Sequence, residues 1–114
     1  MNLQTIIEKL DLKLLTEPKD FPNMIPSAGY ASDLLSCVMA GAIKDGLWIT
    51  LQSHDNIVAV AALLELTAVI ITEDAQPEPA TIARANTKNI TLLLTPQSTF
   101  AVTGQLWNMG LRSE

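Results

Sequence analysis

Gly46-Leu-Trp-Ile-Thr-Leu51, Gln52-Ser-His-Asp-Asn56, Ile57-Val-Ala-Val-Ala-Ala-Leu-Leu64 and Ala68-Val-Ile-Ile-Thr72 decide the fold of this 114-residue chain. They are a short β-branched apolar run, a polar loop, an apolar run of helix length and a second β-branched run. A strand, a crossover helix and a parallel strand have this pattern. The plan then recurs. Apolar runs at 47–51, 68–72 and 90–94 start 21 and 22 residues apart, each followed by a polar loop and a helical segment. Such spacing suits βα units joined by right-handed crossovers. A leucine-rich solenoid also has a short period, but its leucine and asparagine pattern is missing. The expected fold is α/β: one domain over 1–114, with a mainly parallel central sheet of about five strands flanked by helices.

Outward from that centre, Leu3, Ile6, Ile7 and Leu10 mark one face of an N-terminal helix with Asn2 as its cap. Leu12–Thr16 alternates and reads as a short half-buried strand, so 1–16 is a helix and a strand. Residues 17–26 carry Pro18, Pro22 and Pro26 and read as an exposed loop. Residues 27–114 hold the strand–helix units. In the first of these, Ser27–Ala31 is a short edge strand. Ser32 or Asp33 caps a helix whose Leu34, Leu35, Val38 and Met39 share a face and which stops at Gly41. Cys37 reads as a small packed side chain in that helix. Pro79 opens the helix after the second core strand. The last helix, about 98–109, puts Val102, Leu106 and Met109 on one side and closes at Gly110.

Composition narrows the function classes. The net charge of −5, with seven Lys and Arg, leaves no electrostatic footprint for nucleic acid or an anionic membrane. One cysteine excludes an internal disulfide and any multi-cysteine metal site. No signal-peptide pattern or bilayer-length apolar run is present, so a cytoplasmic location is expected. No cofactor is expected: the phosphate-cradling G-x-x-x-x-G-K-[ST] and the dinucleotide G-x-G-x-x-G are both absent.

In an open parallel sheet, ligands bind beyond the carboxyl ends of the strands. Those ends carry Thr50, Ser53, His54 and Asp55; Thr72; and Thr95, Ser98 and Thr99, each followed by a helix N-terminus. They are the candidate ligand-binding residues for a small metabolite or nucleotide. The plainer alternative is that Ser53, Asp55 and Ser98 only cap helices. Glu73 and Asp74 weigh against a bare phosphate. His54 with Asp55 is a conceivable acid–base pair, but no nucleophile accompanies it. The segment Asp55–Leu66 carries no charge between its ends until Glu65, and a helix apolar all round must be covered on several sides. The Pro-rich loop or the N-terminal helix is one cover. A second subunit is the other, with Ile57, Val58, Val60, Ala61 and Leu64 as the interface.

Ser27-Ala-Gly-Tyr-Ala-Ser-Asp-Leu-Leu-Ser36, Gly46–Thr50, His54–Ala61, Ala68–Thr72, Pro77-Glu-Pro79, Ile90-Thr-Leu-Leu-Leu-Thr-Pro96 and Ser98-Thr-Phe100, in this order, resemble the DRTGG domain family. The resemblance implies a fold like the N-terminal domains of HPr kinase/phosphorylase and of Mur ligases. It also implies a regulatory rather than catalytic role, as for the segments of this type in some inorganic pyrophosphatases and phosphotransacetylases. Where the family has Asp-Arg, this chain has Gln52, Ser53 and His54. Where the family has Thr-Gly-Gly, it has Thr72, Glu73 and Asp74. The functional expectation is therefore a non-catalytic regulatory or interaction module. It would form a homodimer through the Asp55–Leu66 helix or an edge strand, and the resemblance implies a redox or hydrogenase-type enzyme as its regulated partner. A dedicated sensor of a nucleotide or phosphorylated metabolite is the alternative, and a small enzyme using His54 is a third.

Overall fold

The computed structural model describes all residues, 1–114. Five strands form one sheet in the order β1-β5-β4-β3-β2: Lys13–Leu14 (β1), Gly29–Ala31 (β2), Leu47–Thr50 (β3), Ala68–Ile71 (β4) and Thr91–Leu94 (β5). β2 to β5 run parallel, and β1 closes one edge antiparallel to β5. Each parallel strand is followed by a helix: Leu35–Gly41 (α2), Asn56–Leu63 (α3), Pro79–Thr87 (α4) and Thr99–Asn108 (α5). Leu3–Leu10 (α1) precedes the sheet. This is the α/β architecture read from the sequence, with every core strand placed within a residue or two.

All residues of β3, β4 and β5 are buried, as expected of strands covered on both faces. Alternation divides them between two cores. Leu47, Ile49, Ala68, Ile70 and Leu93 face α1 and α5, meeting Leu3, Ile6, Leu10, Val102 and Leu106. Trp48, Val69, Ile71, Leu92 and Leu94 face the other way, onto Val38 of α2, Ile57, Val58 and Ala61 of α3, and Ala85 of α4. Asn2 caps α1 by accepting from Thr5 N at 2.8 Å, and Ser98 caps α5 by accepting from Ala101 N at 3.1 Å. No helix is long and apolar enough to cross a membrane.

Five expectations need correction. The 17–26 segment is not simply exposed: Phe21 opens a single 3-10 turn, Phe21–Asn23, and inserts into the α1/α5 core. Neither it nor α1 covers α3: Phe21 and α1 pack on the opposite sheet face, and Glu17 and Lys19 bond Asn86 and Asn89 at the end of α4. In α2 only Val38 is buried, while Leu34 and Met39 are exposed and Cys37 is an exposed free thiol. The cause is position, because α2 lies over the edge strand β2, where there is little sheet to cover it. Finally, Ile57, Val58 and Ala61, three of the five expected interface residues, are fully buried against the domain's own sheet. Val60 and Leu64 are half-buried against the same core. α3 is shorter than expected because Glu65 enters the left-handed region at φ 55°.

Candidate functional site

Thr50, Thr72 and Thr95 stand at one border of the sheet, as the repeat predicts. Thr72 N donates to Thr50 O, and Thr95 N donates to Ile71 O, both at 2.9 Å. Their hydroxyls, however, do not face a ligand. The three residues are 0%, 0% and 1% exposed, and each hydroxyl is bonded within the fold. Thr50 Oγ1 donates to Asp33 Oδ1 at 2.8 Å and accepts from Gln52 N at 3.0 Å. Thr72 Oγ1 and Thr99 Oγ1 share a hydrogen bond of 2.7 Å. Thr95 Oγ1 accepts from Gln97 N at 3.2 Å. Buried hydroxyls find partners because leaving one unmade costs free energy. The strand ends are staples that hold the loops of the rim.

Asp33 belongs to these staples and not, as expected, to the cap of α2. Its Oδ1 also accepts from Leu51 N at 2.9 Å, and its carbonyl accepts from Gln52 Nε2 at 3.1 Å. Ser32 Oγ accepts from Leu34 N instead, at 3.1 Å. The signal for Asp33 lay in topology. β2 and β3 are parallel neighbours, so the residues just past their ends meet.

The loops themselves enclose a crevice of about 410 Å³ between the β3–α3 and β4–α4 connections. It is lined by Leu51, Gln52, Ser53, His54 and Asp55 on one side and Gln76, Glu78 and Thr81 on the other. This volume falls in the range that accommodates small ligands. The structure thus brings Ser53, His54 and Asp55 together and leaves Thr95, Ser98 and Thr99 outside, at the β5–α5 connection. Gln52, Gln76, Glu78 and Thr81 were not anticipated, because nothing in the sequence shows that the loop before Pro79 folds toward His54.

Only one of the three expected caps forms. Ser98 serves α5, whereas Asp55 makes no capping bond and pairs with Arg84, Oδ2 to Nη1 at 2.9 Å. Ser53 makes no side-chain hydrogen bond. His54 Nδ1 accepts from Asn56 N at 3.1 Å. His54 and Asp55 therefore hold different partners and form no acid–base pair. No three His, Cys, Asp or Glu side chains gather in a group fit for a metal. The crevice carries Asp55 and Glu78 at the starts of α3 and α4, where carboxylates already complement the positive helix ends.

The Glu73–Asp74 turn borders the crevice. Its φ values are 58° and 54°, and Ala75 N donates back to Thr72 O at 3.1 Å. These are the φ signs and the hydrogen bond of a type I′ turn, which favours glycine. Its own N–H groups are taken up by the β5–α5 connection, Glu73 N by Gln97 O at 2.9 Å and Asp74 N by Thr95 O at 3.0 Å.

A family model for the DRTGG domain matches residues 36–109. No curated protein sequence matches the chain. Among solved structures, it is similar to the CBS and DRTGG domains of the regulatory region of Clostridium perfringens pyrophosphatase, which was complexed with the activator diadenosine tetraphosphate. The TM-score is 0.72 at 19% identity, over 90% of this chain and 44% of that one. The chain therefore spans less than half of that regulatory region, and at this identity the likeness is one of fold. The family model spans well over half of the chain: this chain belongs to the DRTGG domain family.

Proposed function

We propose that the chain is a non-catalytic regulatory module which reads a small polar ligand at the Ser53-His54-Asp55/Gln76-Glu78 crevice and self-associates. One observation carries the ligand half. The strand-end hydroxyls are bonded internally, while Ser53, His54 and Glu78 line the crevice and Ser53 Oγ, His54 Nε2 and the Glu78 carboxylate have no hydrogen-bond partner in the chain. The two carboxylates at the helix starts favour a neutral or cationic ligand bearing hydroxyl or amide groups. The regulated partner, by the resemblance, is a redox or hydrogenase-type enzyme. Since Ile57, Val58 and Ala61 of α3 are taken up by the domain's own sheet, self-association falls to the β2 side of the sheet.

A nucleotide sensor is the second reading, favoured by the activator in the pyrophosphatase regulatory region. Asp55 and Glu78 oppose a bare phosphate here, so a nucleotide would bind through its base or with a cation.

A thermal-shift panel separates the readings. A ligand at a hundred times its Kd adds about 2.7 kcal/mol to stability. Polyols, amides and amines on one side and nucleotides with and without Mg²⁺ on the other form the two arms. Ser53→Ala and Glu78→Gln should reduce the shift of any true crevice ligand. A shift that survives both substitutions refutes the crevice.

A further inference from the structure

We infer that two copies of this chain pair through α5 in an antiparallel, two-fold contact centred on Thr103 and Gly104. The inference rests on the self-association proposed above and gives it a geometry.

Phe100 is 89% exposed and Trp107 57% exposed. Seven residues apart, they share a face of α5, about 10.5 Å from each other along the axis. Trp107 also walls an apolar cavity of about 200 Å³, completed by Thr103, Leu106 and Leu111 and by Gly29 and Ala31 of β2. Arg112 stacks on the Trp107 ring at 4.1 Å and holds it in place. An apolar cavity of about 150 Å³ is enough to take up benzene, so a phenyl ring fits this one. The knob and the Trp107 wall of the hole therefore share a helix face, equally far from its midpoint. A two-fold axis through Thr103–Gly104 lays each Phe100 over the other copy's cavity, the self-complementarity that an isologous interface requires.

Gly104 supports the same placement. A Cβ there would meet nothing within 4 Å, and its φ is not positive, so the monomer has no need of a glycine. In a helix interior glycine costs about 1 kcal/mol relative to alanine. Close approach of a second helix gives the missing side chain a purpose.

Charge does not oppose the contact along the helix: α5, Thr99–Asn108, carries no charged residue, so two chains of net charge −5 bring no like charges of α5 together. The exposed parts of the two aromatics amount to about 300 Å² per copy. With the cavity rim, the named parts amount to roughly 700 Å² in total, below the standard size of specific interfaces, so the dimer is weak and concentration-dependent.

Sedimentation equilibrium of the wild type, up to about 1 mM, tests this beside Phe100→Ala and Gly104→Lys. The wild type should dimerise, with Trp107 emission shifting to the blue as the ring loses water. Each variant should raise the dissociation constant at least tenfold. Gly104→Lys should keep or raise the monomer's melting temperature, which rules out unfolding as the cause. A wild type that stays monomeric overturns both self-association and this geometry. A dimer whose dissociation constant neither variant moves overturns the geometry alone.

Discussion

The Glu73–Asp74 turn gives the sharpest energetic test, because it stands where the family's name places two glycines. Both residues sit in the left-handed region, at φ 58° and 54°. For a residue with a Cβ that conformation costs roughly 1–2 kcal/mol, less for Asp, whose short side chain tolerates it. Glycine removes the strain but enlarges the unfolded ensemble, which takes back about 0.4–1 kcal/mol. Glu73→Gly should therefore stabilise by about 0.5–1 kcal/mol, and Asp74→Gly should be close to neutral. In a chain of this size 1 kcal/mol moves the melting temperature by roughly 4 °C, so calorimetry resolves the double variant from the wild type. Glu73→Val, a β-branched residue at positive φ, should destabilise by more than 1 kcal/mol. The N–H groups of this turn are already bonded to Gln97 O and Thr95 O. Glycines here thus supply a conformation and not a ligand cradle, and the double variant should leave crevice binding unchanged. A fall in melting temperature on Glu73→Gly would refute the strain argument. Tighter ligand binding by the double variant would refute the structural role of the glycines.

Three further outcomes follow from single contacts. Thr91 is buried in β5 with a hydroxyl that has no partner. Thr91→Val keeps the shape and removes the orphan, so it should stabilise by about 1 kcal/mol in urea titration with the slope m unchanged. Asp33→Ala strips partners from Thr50 Oγ1 and Leu51 N and should cost about 1–3 kcal/mol. Burial holds the Lys19 ammonium below the usual lysine range. Below the folded value both states are protonated and the burial penalty is constant. As pH climbs from there toward the usual range, the folded chain sheds this proton first, the unfolded chain binds more, and stability rises. The wild type should therefore gain on Lys19→Met as pH rises toward the ordinary lysine value of 10.5, read as the difference in their melting temperatures. A constant difference would show that Lys19 is not desolvated.

The sheet was legible because its signal is local and repeated. Leu47–Thr50, Ala68–Ile71 and Thr91–Leu94 are unbroken apolar runs, and strands buried on both faces have little choice but to look like that. Asn2, Pro79 and Ser98 mark helix starts through chemistry confined to one turn. The errors came where burial depends on what lies elsewhere. Leu34 and Met39 are as apolar as the core, yet they face outward because β2 is an edge. Phe21 sits among prolines in a segment without periodicity, yet it fills the gap beneath α1. The even apolarity of α3 said that it must be covered but not by what, and α2, α4 and the sheet share that cover.

The rim shows the same limit in sharper form. Sequence spacing put Thr50, Thr72 and Thr95 on one border, and that much is geometry of the βα repeat. Whether a hydroxyl on that border meets a ligand depends on what reaches it first. Asp33 is 17 residues from Thr50, and Thr99 is 27 from Thr72. Both partners arrive from connections next to the strand in space, since parallel neighbours end side by side. A threonine at the end of a fully covered strand is buried before any ligand comes near, so it is bonded from within. The crevice proposed as the binding site is lined instead by the next residues along, which have left the sheet but not yet entered a helix. Ser53 and His54 occupy that interval after β3, and Gln76 and Glu78 occupy it after β4. The proposed site of this chain therefore lies two to six residues beyond the strand-end threonine, on the loops that the threonine anchors.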